Sequence, residues 1–98
     1  MKLFVDDKRE PPKGYNCAID YDGAISLIRL LDFDFVSLDF NLGNDGHSGL
    51  DILKFMHENK KYPQQLNIHS DNSEGRVLMR RYAEENFPDT VRITMNKL

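Results

Sequence analysis

The chain has 98 residues and a formal net charge of −3, which suits one small domain over residues 1–98 with a real hydrophobic core. The acidic balance and the lack of a long basic run argue against duplex DNA as a partner, and no apolar stretch approaches the roughly 20 residues of a membrane span. Cys17 is the only cysteine, so a disulfide framework is excluded; its apolar neighbours Ala18 and Ile19 suggest a packed core thiol. No signal-peptide pattern precedes the first apolar run, and a cytoplasmic protein is expected.

In chain order, Lys2–Val5 reads as a first strand ending at Asp6-Asp7. The segment Lys8–Tyr15 contains Pro11-Pro12 and Gly14, which rule out a regular helix there. Cys17–Ile19 reads as a second strand. Asp20 or Asp22 can cap a helix whose residues Ala24, Ile25, Ile28 and Leu31 have helical spacing. Phe35–Leu38 is a third strand, and Asn41–Ser48 a polar, Gly-rich loop. Leu50, Leu53 and Met56 mark a second helix ending before Pro63, and Leu66–His69 a fourth strand. Asn72 or Ser73 can cap a third helix through about Phe87, with Val77, Leu78, Tyr82 and Ala83 toward the core. Val91–Met95 is a fifth strand.

Strands of a doubly covered parallel sheet usually read as continuous apolar runs. Here the fourth alternates, Leu66 and Ile68 against Asn67 and His69, and so does the fifth, Val91, Ile93 and Met95 against Arg92, Thr94 and Asn96. That is the pattern of a sheet covered on one face. Helices follow the second, third and fourth strands only, and right-handed crossovers in the order 2-1-3-4-5 put all three on one side. The expected fold is therefore a reduced, flavodoxin-like α/β domain: a five-stranded parallel sheet with three helices mainly on one face. The second face is expected to be solvated or packed on a partner or second copy, with Phe4 and Phe35 on it.

Three short stretches follow apolar runs and so fall on the carboxyl rim of such a sheet, where ligand sites gather. They are Asp6-Asp7, Leu38-Asp39-Phe40-Asn41-Leu42-Gly43 and Ile68-His69-Ser70. Carboxylates, an imidazole and a hydroxyl on one rim suit a hard cation and a phosphate group. Arg76, Arg80 and Arg81 add a local cluster able to hold an anion. Other polar residues have plainer readings. Asp32 and Asp34 are turn residues on the opposite rim, His57 is a surface residue, and Arg80, Arg81, Glu84 and Glu85 form a solvated helix face with spacings for ion pairs.

Asp6-Asp7, Asp39, Ser70 and Lys97, each placed after a strand, resemble the response-regulator receiver domain. The resemblance implies that Asp6, Asp7 and Asp39 bind a divalent metal, joined by the backbone carbonyl of Asn41. It also implies that Asp39 accepts a phosphoryl group and that Ser70 and Lys97 contact the phosphate. The helices that normally follow the first and last strands of receivers are lacking.

A closer resemblance is to the cyclic-phosphate-processing receiver domain. It rests on the early Asp-Asp followed by Pro11-Pro12-Lys13-Gly14, on Val36-Ser37-Leu38-Asp39 leading to Leu42-Gly43, and above all on Ile68-His69-Ser70-x-Asn72-x-x-Gly75-Arg76. The last motif sets a His and a Ser at a strand end and Asn72, Gly75 and Arg76 around a helix start. Free N–H groups and the helix dipole favour phosphate there, and Arg76 suits the same anion. That family often carries a second His directly after the central Asp, where this chain has Phe40; His47 in the loop is a candidate substitute.

The resemblance implies one Mg2+ (or Mn2+) on Asp6, Asp7, Asp39 and Asn41, and a phosphate held by Ser70, Asn72, Gly75, Arg76 and Lys97. His69 is then the expected general acid or base, since imidazole titrates near neutral pH. The implied ligand is a phosphate ester, such as a 2′,3′-cyclic phosphate at an RNA end or a cyclic nucleotide, with a metal-dependent phosphoesterase as the corresponding enzyme. Two other functions fit the same residues: a stand-alone receiver phosphorylated on Asp39, and a non-catalytic interaction module using the open sheet face.

Overall fold

The computed structural model describes residues 1–43 and 45–98; Asn44, within the expected 41–48 loop, lies outside the described residues. Eight elements follow one another: β1 (Lys2–Val5), β2 (Asn16–Ala18), α1 (Tyr21–Leu30), β3 (Phe35–Leu38), α2 (Gly49–Glu58), β4 (Gln65–Ile68), α3 (Ser73–Asn86) and β5 (Arg92–Thr94). The strands pair in parallel in the order β2-β1-β3-β4-β5. This is the α/β receiver-like fold expected from the alternation of strand and helix signals. Pairing moves β2 and β4 one residue toward the N-terminus and trims β5 at both ends, so Ile19 lies beyond its strand and is exposed.

Capping side chains start each helix. Asp20 accepts from the Gly23 N–H, Ser48 and Asp51 form a reciprocal capping box, and Asn72 accepts from the Gly75 N–H. The three helices pack side by side, α1 on α2 and α2 on α3. Under them Leu3, Val5, Val36, Leu38, Leu66 and Ile68 form the buried helix-side rows of the sheet, meeting Ala24, Ile28, Ile52, Leu53, Met56, Met79 and Ala83.

Helix α3 is rotated from its expected setting. Val77 and Leu78 are exposed, and the buried stripe is Gly75, Met79 and Ala83. Close approach decides this. A Cβ on Gly75 would collide with the Phe40 ring, and one on Gly49 would meet the Asp39 carbonyl and the Met79 methyl. The small residues let α3 and α2 settle with the stripe inward.

The second sheet face differs most from expectation. In register across the sheet stand Cys17, Phe4, Ser37, Asn67 and Thr94. Phe4, Ser37 and Asn67 are each no more than 1% exposed. Among the described residues, no helix covers them. The Tyr15 ring meets Phe4 and Phe35 edge-on, and the backbone of Asn96 bonds to Asn67. The alternation in β4 thus marks a buried polar row, not a solvated one. At the β2 edge the same alternation turns Cys17 outward, so it is exposed instead of a core thiol. His57 is likewise not a bare surface residue: it bonds the Tyr62 hydroxyl and lies among Tyr62, Tyr82 and Phe87.

Candidate functional site

The ladder continues one residue past the strands on the carboxyl rim. The Asp39 N–H donates to the Val5 carbonyl and the His69 N–H to the Leu38 carbonyl. This continuation sets Asp6, Asp39 and His69 beside one another, and Asp6, Asp7 and Asp39 each bring a carboxylate oxygen within 4.8 Å of the others. Such a cluster of hard oxygen donors could hold a divalent cation. It opens into a cleft of about 210 Å³ lined also by Lys8, Arg9, Asn41, His69 and Asp71. The Asn41 backbone is held there by a bridge to Ser48.

Asp6 is buried and heavily bonded. Its Oδ1 accepts from the backbone N–H groups of Lys8 and Arg9, at 2.8 and 2.9 Å. Its Oδ2 lies 3.0 Å from His69 Nε2. A carboxylate has about four lone-pair positions, so one on Oδ2 is left for a cation. Asp39 accepts from the Phe40 N–H at 2.7 Å. Burial pushes its carboxyl above the usual range, opposed by a hydrogen bond from Ser70, while the charge of Asp6 raises it further.

His69 does not stand free on the rim. Its side chain is fully enclosed, stacked on Phe4 at 4.4 Å between ring centroids. Nδ1 lies 2.6 Å from Ser37 Oγ, so both ring nitrogens already have partners inside the protein. Burial lowers its proton affinity below that of an ordinary imidazole, and the bond to Asp6 opposes the shift.

The expected phosphate residues divide into two groups. Asn72 and Gly75 bond each other in the α3 cap at 2.9 Å, so neither that amide oxygen nor that N–H is free. Ser70 Oγ accepts from the Asn72 N–H. Arg76 donates to the Ser70 carbonyl at 2.7 Å and, with Lys97, Asn96 and Met95, lines a second pocket of about 400 Å³. His69 and Asp71 border both pockets, so a basic pocket adjoins the acidic cleft. His47 stacks on Tyr21 at 4.0 Å and faces Asp51; it lines neither pocket and does not replace the imidazole missing at Phe40.

Four residues at or under the site had no role in the sequence reading. Asp71 lies 3.8 Å from Arg9 and 3.5 Å from Lys97, tying two cations to the rim. A basic residue three positions after Asp6 was the available signal for Arg9. Ser37 and Asn67 support His69 from the sheet, and polar residues inside two strands were their signal.

A parallel sheet in this order, with an acidic trio at its carboxyl rim, defines a receiver-type domain. The family model described as cyclic-phosphate processing receiver domain matches residues 1–85, and the chain belongs to that family. No curated protein and no solved structure matches it. Among the described residues, no helix is long and apolar enough to cross a membrane.

Proposed function

We propose that the chain is a phosphate-ester-binding receiver domain whose acidic trio holds Mg2+ or Mn2+, and that its substrate class is the cyclic phosphodiester. The observation that carries this reading is the convergence of Asp6, Asp7 and Asp39 beside a pocket bordered by Arg76 and Lys97. The donors fit the cation: all are carboxylate oxygens from two strand ends, with Asn41 lining the same cleft. When bound, the cation supplies charge neutralisation at a phosphate oxygen.

The remaining roles fall to this chain's own groups. Arg9, Arg76 and Lys97 attract the anion, and Ser70 favours the charged form of Asp39 against the effect of burial. His69 holds Asp6 in place from beneath; for it to act as acid or base on substrate, Nε2 must first leave Asp6. The family description names cyclic-phosphate processing, and within that class the proposed ligands end in a 2′,3′-cyclic phosphate, free or at an RNA end. The test is calorimetric titration with Mn2+ followed by a turnover assay on 2′,3′-cyclic nucleotides. Metal-dependent binding lost in Asp39→Ala supports the reading, and absence of both binding and product removes it.

One observation favours a second reading. Asp39 is half-buried at the third strand end, and Ser70 opposes the burial that raises its carboxyl, an arrangement suited to an aspartyl-phosphate acceptor. Incubation with acetyl phosphate and Mg2+ would then add a phosphoryl mass that Asp39→Ala abolishes.

A further inference from the structure

Beneath the acidic trio a chain of buried polar groups runs across the second sheet face, and its donors and acceptors can be assigned from one end. The backbone of Asn96 is the starting point, because an N–H can only donate and a carbonyl can only accept. Asn96 N–H lies 2.9 Å from Asn67 Oδ1, and the Asn96 carbonyl 2.8 Å from Asn67 Nδ2. These two contacts fix which way the Asn67 amide faces, and Thr94 Oγ1 donates to the same Oδ1 at 2.7 Å. The second proton on Asn67 Nδ2 then points to Ser37 Oγ, 3.0 Å away.

Ser37 therefore accepts from Asn67 and has its own proton to donate. Among the described residues, its other side-chain partner is His69 Nδ1, at 2.6 Å. Nδ1 must accept, which places the ring proton on Nε2, facing Asp6 Oδ2 at 3.0 Å. A proton on Nδ1 would leave the Ser37 hydroxyl proton without an acceptor, in a position where Ser37 and Asn67 are no more than 1% exposed. An unmet buried donor costs roughly 1–3 kcal/mol.

We propose that Ser37 and Asn67 are positioning residues for the acidic site: they hold His69 in the Nε2–H form, so that it donates to Asp6 and aims that carboxylate into the cleft. The influence on the cation rests on the metal-binding reading above, whereas the ring tautomer does not. Groups that orient a ligating side chain through a second hydrogen bond commonly change metal affinity about 10–100-fold when removed. The C-terminal segment takes part through Asn96, which sets the Asn67 amide from 29 residues away in the chain.

The experiment is a long-range proton–nitrogen correlation spectrum of the full 15N-labelled chain, metal-free at neutral pH, with His69 assigned by comparison with His69→Gln. The expected spectrum has an unprotonated Nδ1 and a protonated Nε2. Ser37→Ala is expected to lose this single ring state and to weaken Mn2+ binding about 10-fold, and Ser37→Thr, which restores the hydroxyl, to recover both. A protonated Nδ1 in the wild type overturns the proposal. So does a Ser37→Ala protein with an unchanged ring spectrum and unchanged Mn2+ affinity. Should the wild type bind no Mn2+, the metal reading fails by itself, and the ring spectra still decide the positioning role.

Discussion

Phe40 lies against Gly75 so closely that a methyl group on the glycine would overlap its ring. The residue after Asp39 is thereby joined to the first turn of α3, whose cap residue Asn72 follows Ser70 by two positions. Where family members often carry a His, this chain uses the position to pack the rim together.

Gly75→Ala tests that contact. Alanine gains about 1 kcal/mol of helix propensity over glycine, but overpacking against a fixed ring costs about 1–3 kcal/mol. A net loss of about 1–2 kcal/mol is expected in urea denaturation. Phe40→Ala in the same background should recover most of it, and additive effects in that double-mutant cycle would show that the two residues do not interact.

Asp39 is expected to destabilise the metal-free protein at neutral pH. Its folded-state affinity for a proton is raised above the ordinary value of 3.8, chiefly by burial. The folded chain then binds that proton more tightly than the unfolded chain does. The group's contribution is therefore most favourable below 3.8 and is lost as pH rises through the raised value. Asp39→Asn should melt higher than wild type at pH 7 without metal, with the gap closing toward pH 4. Saturating Mn2+ should reverse the order, because the variant has lost a ligand.

His69 gives the opposite pH signature. Burial lowers its folded value below the ordinary 6.5, so the unfolded chain binds the proton more readily. The stability from the neutral ring is complete above 6.5 and declines as pH falls below it. Between pH 7.5 and 5.5, wild type should lose more stability than His69→Gln. Parallel losses in the two proteins would show that this ring does not carry the dependence.

Asp71 competes with an incoming anion for Arg9 and Lys97, and both ion-pair contacts lie at an open rim. Exposed pairs of this kind contribute roughly 0–1 kcal/mol. Asp71→Asn should therefore leave the melting temperature nearly unchanged. The same variant should tighten phosphate binding a few-fold, measured by calorimetry at low salt, where surface charge acts most strongly.

Cys17 is exposed at the β2 edge. A thiol reagent should modify it in the folded protein at close to the rate seen in denaturant, and Cys17→Ser should be neutral in stability. Protection of the thiol until unfolding would contradict its outward placement.

Much of this architecture can be read locally. Apolar runs such as Leu3–Val5, the helical spacing of Ala24 and Ile28, and the caps Asp20 and Asn72 act over a few residues, so their signals survive in the linear chain. The same holds for the rim. Asp6 and Asp39 follow adjacent parallel strands, and a shared strand polarity alone carries both to one end of the sheet.

The partners of the site's polar groups belong to a different scale. Alternation put Asn67 and His69 on one face of β4 and its one-residue continuation, but only cross-strand register puts Ser37 beside Asn67, 30 residues away, and Thr94 beside it from 27. Those contacts, together with Tyr15 and the Asn96 backbone, turn a face that reads as solvated or partner-covered into an enclosed hydrogen-bonded row. Likewise, the rotation of α3 depends on how Gly75 meets Phe40 and how Gly49 meets Asp39. Periodicity reports which residues can share a face, because that follows from backbone geometry along one element. It is silent on what the face meets, because burial and hydrogen bonding are set by segments that only folding brings together. For this chain, the place of the acidic trio was therefore written in its strands, whereas the enclosure of His69 beneath Asp6 arose from packing.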